Sequence, residues 1–264
     1  MATARIDIET RIRPVSLRPA YNPQPDGFNQ NTKPATSGMQ NDILDIARKH
    51  ASDRRFVAAG AELFAEGETS DNLYVVLSGW LFQHRILEDG RRQILDFALP
   101  GAVLGYRAHP TMPFAFSAEA ITPAEIAIIP LSRVVKLLHG GCDSAVTLLD
   151  AANEALLGAF DTLTDIGRRT AREAIAHFLL RMDRRIRRSA SPDADGALPF
   201  PLNQEHIGDA LGLTSVHVCR TLSKLRCDGL VETGRGHLRI IDTDALSEDA
   251  GVSYCEGVEL RLAS

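Results

Sequence analysis

The stretch Asn203 to Gly229, NQEHIGDALGLTSVHVCRTLSKLRCDG, carries two helical patterns separated by a sharp turn. Asn203 is a good N-cap, since its short side-chain oxygen can accept from the orphan N–H groups of a first turn. Ile207, Ala210 and Leu211 then recur at helical spacing and give one apolar stripe. Gly212 ends that helix, because without a Cβ it takes φ > 0 freely. Leu213 plugs the angle, and Thr214 caps a second helix that runs to Gly229. Val218, Leu222 and Leu225 fall on the inner side of the second helix. Ser215, Val216, His217, Cys219, Arg220, Ser223 and Lys224 are left outside or at its margin. Such a surface suits a DNA major groove: a short polar first turn, a forked cation at Arg220 able to donate twice to a guanine edge, and Lys224 one turn later for a phosphate. The expected DNA contacts are therefore Thr214, Ser215, Val216, His217, Cys219, Arg220 and Lys224, with Gln204 from the first helix. The competing reading is an αα-hairpin inside a helical bundle.

The flanks favour the DNA reader. Leu230 to Ile241 reads as two short strands, LVET and HLRII, around Gly234-Arg235-Gly236, which is the hairpin wing of a winged helix-turn-helix and adds Arg235 to the expected contacts. Upstream, Arg168, Arg169, Arg172, Arg181, Arg184, Arg185, Arg187 and Arg188 outnumber Glu173 and Asp183. A run of this kind is by itself as readily a solvated helix face; beside a groove reader, phosphate contact is the better expectation. It also offsets, locally, a net charge of −5 that would otherwise argue against nucleic acid.

The 264 residues, 44% hydrophobic and 24% charged, suit one large or two ordinary globular domains. No apolar run approaches the roughly 18 residues of a membrane span. Cys142, Cys219, Cys227 and Cys255 are scattered, without a C-x-x-C pair, which favours a reducing cytoplasm over a disulfide framework or a structural zinc.

Residues 1–40, rich in proline, asparagine and glutamine, are expected to be a disordered tail, and Asn41 to Lys49 a short helix. Between Phe56 and Pro130 short β-like runs alternate with glycine turns: FVAAG, ELFAEG, LYVVLSG, WLFQHRI, RQILDFAL, SAEAIT and EIAIIP. They predict a closed or sandwiched antiparallel β domain over about 41–142, ending in a helix at Leu131 to Leu138. Over 143–167, Leu149, Ala152, Leu156, Ala159, Leu163 and Ile166 recur at steps of three and four, with Phe160 beside them. That is a coiled-coil seam, read as a dimerisation helix, with packing on the chain's own β domain as the alternative. Gly167 is the expected hinge into the reader domain, 168–246, and 247–264 the expected C-terminal tail.

In this order the chain resembles the Crp/Fnr family of bacterial transcription regulators. The likeness rests on Gly60, Leu63-Phe64, Gly67-Glu68, Asp71, Tyr74, Val76, Gly79, Gly90 and Leu99-Pro100-Gly101 in the β domain. Ile207, the LGLT segment and Arg220 carry it in the reader. The resemblance implies an α+β architecture: an N-terminal antiparallel β-roll of the cyclic-nucleotide-binding kind, a long dimerisation helix and a C-terminal winged helix-turn-helix. It implies a cytoplasmic homodimer on an inverted-repeat promoter site, with RNA polymerase as a further partner and no enzymatic activity.

The departures concern the signal. Cyclic-AMP-binding relatives grip the ligand with a Gly-Glu segment and an Arg followed by Ser or Thr. Here Gly101 to Ala120 has no glutamate near Gly105 and no arginine in Phe114 to Ala118, so cyclic AMP is not expected. No cysteine precedes Cys142, which excludes the N-terminal Cys-ligated iron–sulfur cluster of oxygen-sensing relatives. The cofactor stays unknown. Haem on His84 or His109 is one alternative, and an apolar effector beside Phe114, Phe116 and Met112, or none, is another. Val216 stands where many Fnr-like relatives carry glutamate, so the base preference there should differ. A cupin-like metal enzyme would need converging histidines that the strands lack, and a dimeric ligand-binding scaffold without DNA binding is the remaining rival.

Overall fold

The computed structural model describes residues 36–107, 109–140, 142–234 and 236–252. Helix α1 (Thr36–His50) begins inside the stretch expected to be unstructured, and the expectation for 1–35 falls outside the described residues. Eight antiparallel strands follow: β1 (Asp53–Val57), β2 (Glu62–Phe64), β3 (Asn72–Ser78), β4 (Leu81–Ile86), β5 (Arg92–Ala98), β6 (Val103–Leu104), β7 (Ser117–Ala120) and β8 (Ala124–Pro130). They form two four-stranded sheets, in the orders β1-β8-β3-β6 and β2-β7-β4-β5.

Strand alternation explains the layering. On β3, Tyr74 and Val76 face the other sheet, where they meet Phe64, Leu81, Ala98 and Ala118, with Ile126 of the neighbouring strand β8 beside them. Leu73 and Val75 face outward. Both faces of the strand are therefore apolar, and both sheets are covered on the outside. Outside the first sheet, Leu73, Val75, Ala127 and Ile129 pack against Ile43, Ile46 and Ala47 of α1, against Leu131 of α2 (Leu131–Gly140) and against Leu148 of α3 (Cys142–Arg168). Outside the second, Trp80, Phe82, Ile94, Phe97 and Leu99 share one core with the C-terminal helices.

Those helices are α4 (Ala171–Ser189), α5 (Gln204–Leu211), α6 (Ser215–Cys227) and α7 (Thr243–Asp249). A small sheet is added by β9 (Leu198–Pro199), β10 (Val231–Gly234) and β11 (His237–Ile240), in the order β10-β11-β9. Two boundaries differ from expectation. α3 runs straight through Gly167, and the break comes at Arg169 and Thr170, where Thr170 and Glu173 form a reciprocal capping box that starts α4. The T-x-x-E signal for it stands in the sequence. α7 crosses the expected tail boundary at 247. Leu246 and Ala250 are buried in the common core, and Asp249 pairs with Arg172 of α4, so the segment belongs to the reader domain.

Candidate nucleic-acid interface

The helix-turn-helix forms as the residues dictate. Asn203 caps α5, with its Oδ1 accepting from the His206 N–H at 2.8 Å, and the His206 Nδ1 accepts from the Asn203 N–H at 3.3 Å. Gly212 ends the helix in the left-handed region at φ 66°. Gly208 is equally constrained. A Cβ placed there would lie 2.5 Å from the Leu213 carbonyl oxygen, so the tight turn needs glycine on the helix as well as at its end. Thr214 caps α6 by accepting from the His217 N–H, and Val218, Leu222 and Leu225 are buried beneath.

The opposite side of α6 is open. Val216 is 55% exposed, Ser215, His217, Arg220 and Lys224 are exposed, and Cys219 is half-buried. Arg220 and Lys224 have no hydrogen-bond or ion-pair partner among the described residues, so both cations are available. Thr214 and Gln204 are exposed at the N-terminal ends of α6 and α5. Arg235 lies outside the described residues. Arg226, which the sequence did not single out, donates from Nη1 to Thr233 Oγ1 at 3.1 Å and from Nη2 to Ser223 Oγ at 3.0 Å. It ties the recognition helix to strand β10 of the wing without a carboxylate partner among the described residues. Its role depends on the position of β10, which spacing along α6 does not reveal.

The upstream arginine run corrects an expectation. Most of it is consumed inside the chain: Arg169 and Arg181 pair with Asp165, Arg172 with Asp228 and Asp249, Arg185 with Asp96, Arg187 with Asp183, and Arg188 with Glu154. Arg168 stays exposed at the end of α3. Arg169–Asp165 and Arg187–Asp183 are i, i+4 pairs, but the partners of Arg172, Arg185 and Arg188 are distant in sequence, so a local charge count could not find those. The run is tied up within the chain, partly inside the reader domain and partly against α3 and β5, more than it is a phosphate-binding face.

These features occur in a known combination. A Crp-like helix-turn-helix domain model matches residues 173–249 and a cyclic nucleotide-binding domain model matches 54–140. The nitrogen fixation regulation protein FixK of Bradyrhizobium diazoefficiens is 33% identical over 199 residues, covering 74% of this chain and 80% of its own. The chain belongs to the Crp/Fnr family. Another member, the transcriptional activatory protein AadR of Rhodopseudomonas palustris, is 32% identical over 68% of this chain and 74% of its own. Among solved structures, FixK2 from Bradyrhizobium japonicum superposes with a TM-score of 0.68 at 30% identity, covering 76% of this chain and 98% of its own. This Crp/Fnr protein is thus a transcription regulator with a sensor roll of the cyclic-nucleotide-binding fold and a DNA-binding helix-turn-helix.

The roll interior of this Crp/Fnr regulator is filled by its own aromatic side chains. Phe114 stacks on Phe64 at 3.8 Å between ring centroids, and Tyr74 and Phe116 lie 5.5 Å and 6.3 Å from Phe64. The Arg107 guanidinium covers Phe114 at 4.0 Å and donates through Nη2 to the carbonyls of Ser70 and Asn72. The residues considered for an effector are not brought together. Phe114 and Phe116 line this cluster, and His109 is exposed on the preceding loop. His84 stands on the outer sheet face, 5.1 Å from the Phe82 ring, buried, with no partner for Nδ1 among the described residues. Desolvation lowers its pKa below the ordinary 6.5. On the long helix, Leu149 and Leu163 are each 69% exposed, and Leu156, Ala159, Phe160 and Ile166 are also exposed, with Ala152 half-buried. No helix among the described residues is long and apolar enough to cross a membrane.

Proposed function

We propose that this regulator acts in the cytoplasm as a homodimer that reads an inverted-repeat promoter site. The exposed apolar stripe on α3, from Leu149 through Leu156 and Leu163 to Ile166, is the observation that carries the dimer. An unpartnered stripe of that length is costly in water, and two copies packed along it bury it symmetrically. The α6 faces of such a dimer would enter successive major grooves about 34 Å apart. Thr214, Ser215, Val216, His217, Cys219, Arg220 and Lys224 would make the contacts, Gln204 would reach the backbone, and RNA polymerase would be the downstream partner.

The signal read by the roll is neither cyclic AMP nor a Cys-ligated cluster. A cyclic phosphate needs a cation in the roll, and Phe114 to Ala118 supplies none. Phe64, Tyr74 and Phe114 occupy the interior, where Arg107 lies over Phe114 and donates to carbonyl oxygens through Nη2 alone, its Nε and Nη1 being without a hydrogen-bond partner among the described residues. The described free cysteines, Cys219 and Cys227, are both on α6. An apolar effector that parts the aromatic cluster, or direct response to protein level, fits this interior. Haem is the weaker alternative, because His84 and the Phe114 cluster lie on opposite faces of the sheet.

The deciding experiment selects binding sites from random DNA with the full chain and measures affinity for the winning sequence at several salt concentrations. A palindromic winner with a steep salt dependence is expected. Recovery of no enriched sequence would overturn the DNA-reading assignment and leave the ligand-binding scaffold. A non-palindromic winner bound by a monomer would overturn the dimer.

A further inference from the structure

We infer that the sensor sheet itself positions the reader, with Arg92 of β5 as the positioning residue that fixes α5, and hence α6, for DNA binding. The inference rests on the dimeric, inverted-repeat reading above.

Helix α5 has two chemically different sides. Ile207, Ala210 and Leu211 are buried in the core shared with α6, while Glu205, His206 and Asp209 project the other way. On a free-standing reader that second side would face water. Here the β4–β5 hairpin covers it. Arg92 Nε donates to Asp209 Oδ2 at 2.8 Å, and Nη2 lies 3.8 Å from Glu205 Oε1. The same guanidinium sits 4.9 Å over the Phe82 ring, which is tilted against the His206 ring at 5.6 Å between centroids. Gln93 Nε2 donates to the Ala210 carbonyl at 3.3 Å.

A second grip lies farther along β5. Arg185 of α4 donates to Asp96 Oδ1 at 2.6 Å and to the Phe97 carbonyl, and the Phe97 and Phe178 rings meet edge-on at 5.7 Å. The Arg92 and Asp209 side chains are only 22% and 24% exposed. The contact is therefore not the freely solvated ion pair whose contribution is close to nothing.

The consequence is mechanical. Chain continuity alone would let the reader pivot at the Arg169–Thr170 break between α3 and α4. The contacts on β5 remove that freedom while leaving Val216, Arg220 and Lys224 exposed, so docking pre-organises the reader and does not mask it. In a dimer, where α3 fixes the rolls, the site of docking on β5 sets the separation of the two recognition helices. A reader held in place avoids the penalty of being only fractionally in position.

The test uses the full-length wild type, Arg92→Glu, Asp209→Arg and the charge-swapped double variant. Affinities are measured for the selected inverted repeat, for versions with the half-sites moved one base pair closer or farther, and for a single half-site. The wild type is expected to favour one separation. Arg92→Glu should weaken the favoured site on the order of tenfold and flatten the preference among separations. Its half-site affinity should stay within about twofold, and the double variant should restore both the affinity and the preference. Retention of the wild-type separation preference by Arg92→Glu would overturn the inference, as would equal loss on the half-site. Should Arg92→Glu not fold by circular dichroism, Arg92→Gln serves in its place with the same expected direction. A wild type indifferent to separation would instead refute the dimeric reading, before any variant is compared.

Discussion

Asp165→Ala is the substitution that the elbow between α3 and α4 should tolerate least. The Asp165 carboxylate is buried near the end of α3 and accepts from Arg169 Nη1 at 2.5 Å, from His177 Nδ1 at 2.8 Å and from Arg181 Nη2 at 3.2 Å. His177 is itself buried, and the Arg181 side chain is 13% exposed, so the carboxylate accepts from donors that water cannot reach well. Desolvation already lowers the Arg181 pKa, with Asp165 the first of the charges opposing that shift. Removing the carboxylate leaves Arg169 without its anion and Arg181 with only the more distant, half-exposed Asp161 at 4.0 Å, a loss of about 3–5 kcal/mol. At about 2–4 °C per kcal/mol for a unit of this size, the midpoint of thermal unfolding should fall by about 6–20 °C. Circular dichroism melts at fixed protein concentration measure this. Hydrogen exchange should show the faster opening concentrated in 162–181, where the network joins the two helices. Asp165→Asn keeps the shape but not the charge and should behave more like alanine than like wild type. A melting point within about 2 °C of wild type for Asp165→Ala would refute the argument, and a fully stable asparagine variant would show that hydrogen bonding, not charge, holds the elbow.

Other substitutions probe the reader and its docking. Arg220→Ala should lose about 1–3 kcal/mol on the selected site and relax base preference at one position, and equal loss on random DNA would mark Arg220 as a phosphate contact only. Lys224→Ala should weaken all sequences alike and reduce the slope of log affinity against log salt by about one unit. Gly208→Ala drives a Cβ to 2.5 Å from the Leu213 carbonyl and should destabilise the reader by about 1–3 kcal/mol in urea titrations, whereas an unchanged midpoint would mean the turn can open. Burial pushes the pKa of both His84 and His206 below 6.5. The unfolded chain then takes up protons near pH 6.5 that the folded chain resists, so stability should fall as pH drops below that value. His206→Gln, which keeps a side-chain acceptor at the third helical position, should shrink the difference between melting points at pH 7.5 and pH 5.5.

Much of this molecule is written locally. The helix-turn-helix was legible because its determinants are near neighbours: a cap at Asn203, a left-handed glycine at Gly212, a second cap at Thr214, and an apolar stripe that repeats within one helix. The strands were legible for the same reason, although the two-residue β6 and β9 carry too little pattern to be seen. The seam on α3 was legible as a periodicity, and the structure adds that its leucines stand exposed.

What the sequence could not decide is what depends on partners far along the chain. The arginines before the reader looked like a DNA-facing run because charge was counted among neighbours. Apart from the i, i+4 pairs Arg169–Asp165 and Arg187–Asp183, their carboxylates lie at Asp96, Glu154, Asp228 and Asp249, and at Asp165 for Arg181, and only the fold brings these within reach. The same holds for Arg92 on Asp209, for the separation of His84 from Phe114 by the thickness of a sheet, and for α7, whose burial needs the α4 surface. The sequence by itself determined that this chain reads DNA and where its sensor, long helix and reader lie, because caps, turns and periodicities act over a few residues. Only the tertiary structure decided which charges remain free to meet DNA and what holds the reader in place, because Coulomb and packing energies depend on distance in space.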